Sequence, residues 1–328
     1  MVFSGSFTIH FFIDARLDMR LKAIFFLVVG IFCISITDAI FKSLSGSYAL
    51  HELVFIRATI SLALMLPVVL ILNGLRSLRT SQPGLHALRG LLIVIANLAF
   101  FTGLASLPLA EASAIVFLSP VFTTLFAAIF LRELVTIVRV TAVVVGLIGM
   151  VLVVQPLSPE TTMAFLWPLA AAICYAAFVI VTRFIAKVEG VSGLAVYSVL
   201  AFLVSSGLIG LLVGNGSYSG NADPSIEFLL RAWQWPEFSD WGFLIGIGIL
   251  STVIAFAMAA AYRSGEASFL APFEYVNLPF VLLWGLLFFG EFPNRLALMG
   301  MVLIVLGGVV MVIKEGKNRH QSKVSLEH

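Results

Sequence analysis

The sequence predicts an all-α membrane protein whose ten transmembrane helices form two inverted five-helix repeats. The first observation is composition: 61% of the 328 residues are hydrophobic, 11% are charged, and the mean hydropathy is +1.10. Soluble domains carry about 25% charged residues, so a soluble fold is excluded. Apolar runs of about 20 residues recur along the chain, and each is long enough to cross the ~30 Å hydrocarbon core as a helix. Because the runs are continuously apolar rather than alternating, a β-barrel is excluded.

The second observation is a segment that occurs twice, at residues 111–154 and 266–313. Both copies open with Glu-Ala-Ser, carry a proline in their first apolar run, break at a glutamate and continue with a second apolar run. The matched residues are Glu111 and Glu266, Pro120 and Pro279, and Glu133 and Glu291. Each copy is therefore predicted to be a pair of apolar helices joined by one polar break, and an internal repeat of this kind fixes the architecture.

The apolar runs predict ten spans and two repeats. The spans cover residues 22–42, 53–72, 87–107, 111–131, 135–154, 163–185, 193–213, 240–262, 266–290 and 296–313. Repeat 1 is predicted over 21–155 and repeat 2 over 160–313, with tails at 1–20 and 314–328. Most connections are short. Residues 214–238 are the exception, since they are polar, rich in turn residues and then aromatic, which suits an interfacial helix or an aromatic belt.

The third observation is the distribution of positive charge. With the N-terminus in the cytoplasm, 15 of the 19 Lys and Arg residues lie on the cytoplasmic side, as the positive-inside rule requires. We therefore expect both termini in the cytoplasm and the chain in the inner membrane. Five spans separate one copy of the repeat from the next, and an odd number inverts the second half. Inverted repeats are typical of secondary transporters, which bind substrate near the membrane midplane at the repeat interface.

Several short motifs carry a family resemblance. They are Leu107-Pro108-Leu109-Ala110-Glu111-Ala112, Ser119-Pro120, Arg132-Glu133, Pro272-Phe273-Glu274-Tyr275-Val276-Asn277-Leu278-Pro279-Phe280 and Phe289-Gly290-Glu291-Phe292-Pro293. Over about residues 21 to 313 the sequence resembles the EamA-type, ten-helix branch of the drug/metabolite transporter superfamily. The resemblance implies a central cavity lined by spans 1, 3, 4, 6, 8 and 9, and relatives such as bacterial riboflavin and S-adenosylmethionine carriers. The chain departs from the family pattern at Arg132, where a glycine is usual.

Two charged residues lie near the outer ends of the first two spans. Asp38 and Arg57 are each about four residues from the end of their span, so roughly 6 Å deep at 1.5 Å per residue. Charges within spans usually face the protein interior and are candidates for function. Two interpretations stay open. One is a structural ion pair of the hairpin, helped by Lys42 one turn from Asp38, and the other is a substrate or gate charge.

Glu274 is the deepest predicted acid. It lies about eight residues into span 9, so about 12 Å deep and close to the midplane. Its repeat partner is Ser119, which reaches a similar depth from the opposite face, and Asn277 lies on the same helix face three residues on. We expect Glu274 to act as a substrate counter-charge or a proton carrier. The alternative is a carboxyl group held by a neighbouring helix for packing.

Further candidates line the predicted cavity. Asn97 lies near the middle of span 3, where either an interhelical hydrogen bond or a substrate contact explains it. Aromatic side chains can stack on an aromatic or cationic ligand, and those at suitable depth are Phe101, Tyr175, Phe256 and Tyr275. The predicted substrate-binding residues are therefore Asp38, Arg57, Asn97, Phe101, Ser119, Tyr175, Phe256, Glu274, Tyr275 and Asn277.

Other kinds of site find no support in the sequence. Cys33 and Cys174 both lie inside apolar runs and are expected to act as small buried hydrophobes, so no metal site or disulfide is predicted. No zinc-protease, nucleophile-elbow or Walker motif occurs. We therefore expect no catalytic activity, no cofactor and no nucleic-acid partner. The glycines of spans 5 and 10 predict close helix packing and leave a homodimer contact open.

The expected function is secondary transport of a small organic metabolite by alternating access. Without an ATP site, such transport is facilitative or driven by a gradient, and proton coupling is one option. The resemblance implies a substrate like riboflavin, S-adenosylmethionine or an amino acid. One alternative is an exporter of amino acids or toxic cations. An alternative of another class is an integral membrane enzyme or a lipid-handling protein that uses the same cavity.

Overall fold

The computed structural model describes residues 5–74, 78–130, 137–155, 163–185, 189–264 and 273–324, and their regular structure is helical throughout. The helices are α1 (Gly5–Leu44), α2 (Leu50–Asn73), α3 (Pro83–Leu104), α4 (Leu109–Val116), α5 (Ser119–Phe130), α6 (Ile137–Val154), α7 (Leu166–Ile185), α8 (Val191–Val213), α9 (Pro224–Leu230), α10 (Trp241–Ser264), α11 (Asn277–Phe289) and α12 (Arg295–Val324). Among the predicted features, Arg132, Glu133, Glu266 and Pro272 lie outside the described residues.

Six of the described helices are long and apolar enough to cross a membrane. Their spans are Leu21–Leu44, Leu50–Leu72, Pro83–Leu104, Met163–Thr182, Ser192–Val213 and Phe238–Met258. Four shorter apolar helical stretches accompany them: Leu109–Thr123, Val144–Val154, Asn277–Phe289 and Arg295–Gly307. The chain is therefore a multi-pass, all-helical membrane protein.

Two of the predicted spans are interrupted. Predicted span 4 consists of two helices, α4 and α5, because the helix stops at Phe117 and Leu118. In predicted span 9, a turn at Tyr275 and Val276 precedes α11. In both places a helix restarts with a proline in its first turn, where the missing amide hydrogen costs no intrahelical bond. The proline motifs therefore mark helix starts within the membrane.

The first and last helices extend past their membrane-spanning stretches. α1 begins at Gly5 and α12 continues to Val324, where the sequence predicted tails at 1–20 and 314–328. No proline occurs in these extensions, so nothing interrupts their backbone hydrogen bonds. The 30 residues of α12 give a length of about 45 Å, which exceeds the ~30 Å hydrocarbon core.

The helices pack in specific pairs. α1 packs against α10, α3 against α7, α2 against α8, and α6 against α12. The approach is closest between α6 and α12, where a Cβ atom on Gly149 would lie 2.7 Å from the backbone oxygen of Gly300 and 2.8 Å from Cγ1 of Ile304. Small residues at such a contact allow two helix backbones to meet. Of the glycines predicted to pack closely, Gly149 and Gly300 therefore do so within the chain.

Residues 214–240, which we call the cap, cover the turn between α1 and α2. Arg231 donates hydrogen bonds from Nη1 to the carbonyl oxygens of Ser45 (2.8 Å) and Tyr48 (3.3 Å). The Tyr48 hydroxyl donates to Asp240 Oδ2 at 2.6 Å and accepts from the Glu237 backbone amide at 3.0 Å. Burial and the hydrogen bond to Asp240 raise the pKa of Tyr48 above its ordinary value, so the hydroxyl stays a donor at neutral pH.

The cap is also anchored by buried apolar side chains. Phe228 of α9 is fully buried. The Trp233 ring stacks on His51 at 5.8 Å and lies against the α8 backbone at Gly210. In contrast, Trp235 is 85% exposed, as an aromatic belt residue would be. The predicted interfacial segment therefore contains both a packed anchor and an exposed aromatic residue.

Candidate functional site

A cavity of about 410 Å³ lies among the helices. This volume falls within the range of sites for small organic ligands. Its polar lining residues are Thr37, Asp38, Arg57, Ser61, Asn97, Ser113, Tyr175, Ser251 and Asn277, and the other lining residues are aliphatic or aromatic. The lining comes from α1, α3, α4, α7, α10 and α11, which correspond to the spans that the family resemblance implied, and also from α2 and α8.

Arg57 is held by an amide and three aromatic rings. Its Nη2 atom donates to Oδ1 of Asn97 at 3.0 Å. Its Cζ atom lies 5.1 Å from the ring centres of Phe41 and Phe202 and 5.9 Å from that of Phe101. The rings of Phe41 and Phe101 are stacked, with centroids 4.1 Å apart. A cation over aromatic faces is stabilised by the ring quadrupoles, so the guanidinium is fixed at the cavity wall.

Asp38 faces the same cavity but does not touch Arg57. Its side chain is 6% exposed. Within the described part of the chain, no hydrogen bond reaches the Asp38 carboxylate, and no Arg57 nitrogen comes within the 4.0 Å ion-pair distance. Arg57 nevertheless acts on Asp38 electrostatically. A direct ion pair between Asp38 and Arg57 is therefore absent, and the two side chains face the cavity separately.

Lys42 has a different partner from the one that its spacing suggested. Its Nζ atom donates to Glu291 at 2.6 Å (Oε1) and 2.8 Å (Oε2), and to the carbonyl oxygen of Leu107 at 2.7 Å. Glu291 Oε2 also accepts from the backbone amide of Leu109 at 3.0 Å. Lys42 therefore joins α1 to the start of α4 and to the end of α11, and it is not a partner of Asp38.

The interrupted helices bring further polar atoms to the cavity. Within the described residues, Ser113 Oγ and Asn277 Oδ1 are buried atoms without a hydrogen-bond partner. Ser113 precedes the α4 break, and Asn277 opens α11 just after the second break. The two breaks meet in space, since the rings of Phe117 and Tyr275 are 5.3 Å apart. Buried polar groups normally find partners, so both atoms are available to a ligand.

The structure brings six of the ten predicted site residues to the cavity wall. These are Asp38, Arg57, Asn97, Phe101, Tyr175 and Asn277. Ser119, Phe256, Glu274 and Tyr275 are not among the lining residues. Phe256 is 38% exposed and belongs to the outward side of α10. Glu274 lies close behind the wall, where it acts electrostatically on Tyr175 and Tyr275.

Sequence reasoning missed Phe41, Phe202 and Ser113. The chain contains 29 Phe residues, so no signal distinguishes the two that flank Arg57. A signal for Ser113 was present, because it belongs to the Glu-Ala-Ser that opens the first copy of the repeat.

Arg89 connects three helices at the end of α3 that lies away from Phe101. Arg89 donates to Thr182 Oγ1 (2.8 Å), the Leu194 carbonyl oxygen (2.8 Å) and Ser198 Oγ (2.9 Å), which joins α3 to α7 and α8. This guanidinium, with hydrogen bonds to two neighbouring helices, has a structural role.

Nearby, Glu189 joins the α2–α3 connection to the start of α8. It accepts from Thr80 Oγ1 at 2.7 Å and from the Ser81 backbone amide at 3.0 Å. The bond from Thr80, and then that from Ser81, lower the pKa of Glu189, although burial acts in the opposite direction. Since the folded-state pKa is lowered, this contact contributes stability above the ordinary glutamate pKa and loses it as the pH falls.

Comparison with known proteins identifies relatives along the whole bundle. Residues 21–155 match the EamA-like transporter family. The chain is 28% identical to a riboflavin transporter of Vibrio cholerae, over 92% of this chain and 96% of that protein. It is 26% identical to an S-adenosylmethionine uptake transporter of Rickettsia prowazekii, over 94% and 99%, and 26% identical to a pseudopaline exporter of Pseudomonas aeruginosa, over 90% and 97%.

A solved structure shares the fold. It superimposes with a TM-score of 0.61 at 22% sequence identity, over 89% of this chain and 96% of that one. The family match covers the helices up to the end of α6, and the curated relatives extend the similarity through the remaining helices. The first half of the chain therefore matches the EamA-like transporter family, and the similarity to curated transporters continues through the second half.

Proposed function

We propose that this protein is a secondary transporter that moves a small organic metabolite across the inner membrane by alternating access, with the cavity as its substrate site. The observation that carries the proposal is the cavity itself: about 410 Å³ of mainly apolar space at the centre of a membrane bundle, with Asp38 and Arg57 on its wall. Charged groups inside a membrane bundle are costly and mark substrate or ion paths.

The helix packing supports two inverted repeats over 21–155 and 160–313. In the proposed repeat, α1 of the first half corresponds to α7 of the second, and α3 corresponds to α10. An inverted repeat in which α1 packs against α10 should therefore also have α7 packed against α3. Both contacts are present and extensive. The α2–α8 and α6–α12 contacts map onto themselves. The breaks correspond as well, because Phe117 and Tyr275 are 158 positions apart, the same separation as Glu133 and Glu291.

The connections at the two ends support alternating access. At one end the cap binds the α1–α2 turn through Tyr48, and at the other Thr80 binds Glu189 ahead of α8. Tyr48 and Glu189 are 141 positions apart, which is also the offset between Cys33 and Cys174. Each contact joins the two halves on one side of the cavity. Rocking the halves would therefore open one contact while the other stays closed.

Transport assays in both directions test the proposal. Purified protein in proteoliposomes is expected to accumulate or exchange at least one of radiolabelled riboflavin, S-adenosylmethionine or an amino acid. Uptake is the proposed direction, with both termini cytoplasmic, and the pseudopaline exporter among the relatives favours export as the second candidate. A membrane enzyme or a lipid-handling protein would leave every labelled solute outside the vesicles.

Filling the cavity is expected to stop this transport. Ala255 lines the cavity from α10, so the indole of Ala255→Trp would occupy the substrate volume and lower the transport rate at least tenfold. Val253→Trp is the matched control, because Val253 is 38% exposed on the same helix and is not a lining residue. Initial rates in proteoliposomes measure the difference. Equal rates for the two variants would show that substrate does not pass through this cavity.

Glu274→Gln is expected to reduce transport at least tenfold while leaving the fold intact. Glu274 acts on Tyr175, which lines the cavity, and the amide removes both the charge and the titratable proton. If Glu274 carries protons, the variant also loses the dependence of transport on a pH gradient. Glu237→Gln, at an exposed glutamate of the cap, is the control. Normal transport and normal pH dependence in Glu274→Gln would restrict this residue to packing.

A further inference from the structure

The cavity presents a carboxyl group and a guanidinium that line the same space but do not pair. Asp38 and Arg57 are 6% and 8% exposed and both line the cavity. Arg57 is the charged group that acts on Asp38, yet no direct ion pair forms between them in the described part of the chain. The cavity is therefore lined by the Asp38 carboxyl group on α1, which we call the negative wall, and by the Arg57 guanidinium on α2, which we call the positive wall.

The positive wall, formed by Arg57, is already arranged to donate hydrogen bonds to an acceptor group of a ligand. Arginine presents five N–H donors in a rigid planar fork. In the described residues, Arg57 makes one hydrogen bond, to Asn97 Oδ1. The rings of Phe41 and Phe202 hold its Cζ atom at 5.1 Å each. The remaining donors are therefore available to a ligand, and the guanidinium loses little freedom when the ligand binds.

The negative wall, formed by Asp38, requires a cationic or hydrogen-bond-donating group from a ligand. A carboxylate in apolar surroundings is costly unless it is paired and hydrogen-bonded, and no described group donates a hydrogen bond to Asp38. A ligand with only an anionic group would satisfy Arg57 and leave Asp38 uncompensated. A ligand with only a cationic group would do the reverse. A ligand that carries both signs compensates both walls at once.

We propose that the cavity binds an amphoteric metabolite, with its cationic group at Asp38, its carboxylate or other anionic group at Arg57, and a flat apolar part against Phe101, Phe117 and Phe202. This inference rests on the proposed transport function and specifies its substrate class. The unpartnered Ser113 Oγ and Asn277 Oδ1 add neutral hydrogen-bonding positions near the helix breaks. These two atoms favour a ligand whose flat part carries polar groups at its edge.

Matched probes test the charge requirement. Binding to the purified full-length protein is measured by calorimetry for tryptophan (both charges), tryptamine (cation only) and indole-3-propionate (anion only). S-adenosylmethionine is compared with methylthioadenosine, which lacks both the amino-acid group and the sulfonium charge, and riboflavin is the uncharged probe. We expect the amphoteric member of each set to bind at least tenfold more tightly than its analogues.

Two substitutions separate ligand binding from a structural role. Asp38→Asn is expected to weaken binding of amphoteric and cationic probes at least tenfold and to spare the anionic probe. Arg57→Gln is expected to weaken binding of the anionic probe at least tenfold and to spare the cationic probe. If Arg57→Gln does not fold, Arg57→Lys keeps the positive charge and should retain the preference for the anionic probe. Arg295→Gln and Glu237→Gln, both at exposed positions, are the controls.

The outcomes distinguish this inference from the proposed function. Transport of an uncharged or singly charged probe at least as well as the amphoteric ones would overturn the amphoteric inference and leave the transport function standing. Equal weakening of every probe by Asp38→Asn and Arg57→Gln would also overturn it, because that pattern reflects a structural pair. Failure to transport any probe in either direction would overturn the proposed function itself.

Discussion

Lys42→Met is expected to lower the free energy of unfolding by about 2 kcal/mol, which is roughly a thirtyfold change in the folding equilibrium. The substitution removes three short hydrogen bonds and leaves the Glu291 carboxylate facing the end of α11 without its cation. Breaking a fully buried pair costs about 3–5 kcal/mol. Glu291 is 29% exposed, so water compensates part of the loss. Thermal unfolding in detergent measures the change.

A double-mutant cycle gives the specific contribution of this pair. Glu291→Gln alone should also destabilise the protein, whereas Lys42→Met combined with Glu291→Gln should cost less than the sum of the single changes. Exchanging the charges, with Lys42→Glu and Glu291→Lys together, should recover part of the stability. Strictly additive effects would mean that the two side chains do not act on each other in the folded protein.

Gly149→Leu is expected to prevent the assembly of α6 with α12, with a loss of at least ~3 kcal/mol in the free energy of unfolding. A Cβ atom at this position would lie 2.7 Å from a backbone oxygen of Gly300 and 3.1 Å from the Ile304 backbone nitrogen. Backbone atoms cannot move aside as a side chain can, so the helices would have to separate along their contact. Reduced yield of monodisperse protein and a lower melting temperature would report the change.

Gly146→Ala on the same helix is the matched control. A Cβ atom there would lie 3.3 Å from the ends of the Leu118 and Val121 side chains, which can adjust. Alanine also has the higher helix propensity, by about 1 kcal/mol, so this variant should be neutral or slightly stabilising. If Gly149→Leu were as stable as Gly146→Ala, the close approach of α6 and α12 would not exist in the folded protein.

Hydropathy and repeat spacing predicted where the helices lie, because each apolar run must satisfy its backbone hydrogen bonds within the membrane. They could not predict the break at Phe117 and Leu118. Pro120 indicated a disturbed helix but not where the preceding helix ends: α4 stops before Phe117, and α5 restarts with Pro120 in its first turn. The sequence predicted span 4 at 111–131, and the structure describes two helices there, α4 and α5.

The candidate site was also predicted only in part. Depth along a helix predicted Asp38, Arg57 and Asn97, all of which line the cavity. Depth says nothing about the direction of a side chain. It therefore could not show that Phe256 lies outside the cavity while its neighbour Ala255 lines it. The partner of Lys42 lies 249 residues away, so local spacing could not identify it.

The way in which the cap is held has a practical consequence. Arg231 and Gln234 bind the carbonyl oxygens of Ser45, Ser47 and Tyr48, and a main-chain acceptor is present whatever side chain its residue carries. Ser47 is exposed and Cys33 is buried, and the half-buried Cys174 would be replaced by alanine. A single cysteine introduced at Ser47 would thus accept a fluorescent or spin label next to the cap while the bonds that hold the cap stay in place. The turn between α1 and α2 is therefore a natural position for a reporter of conformational change.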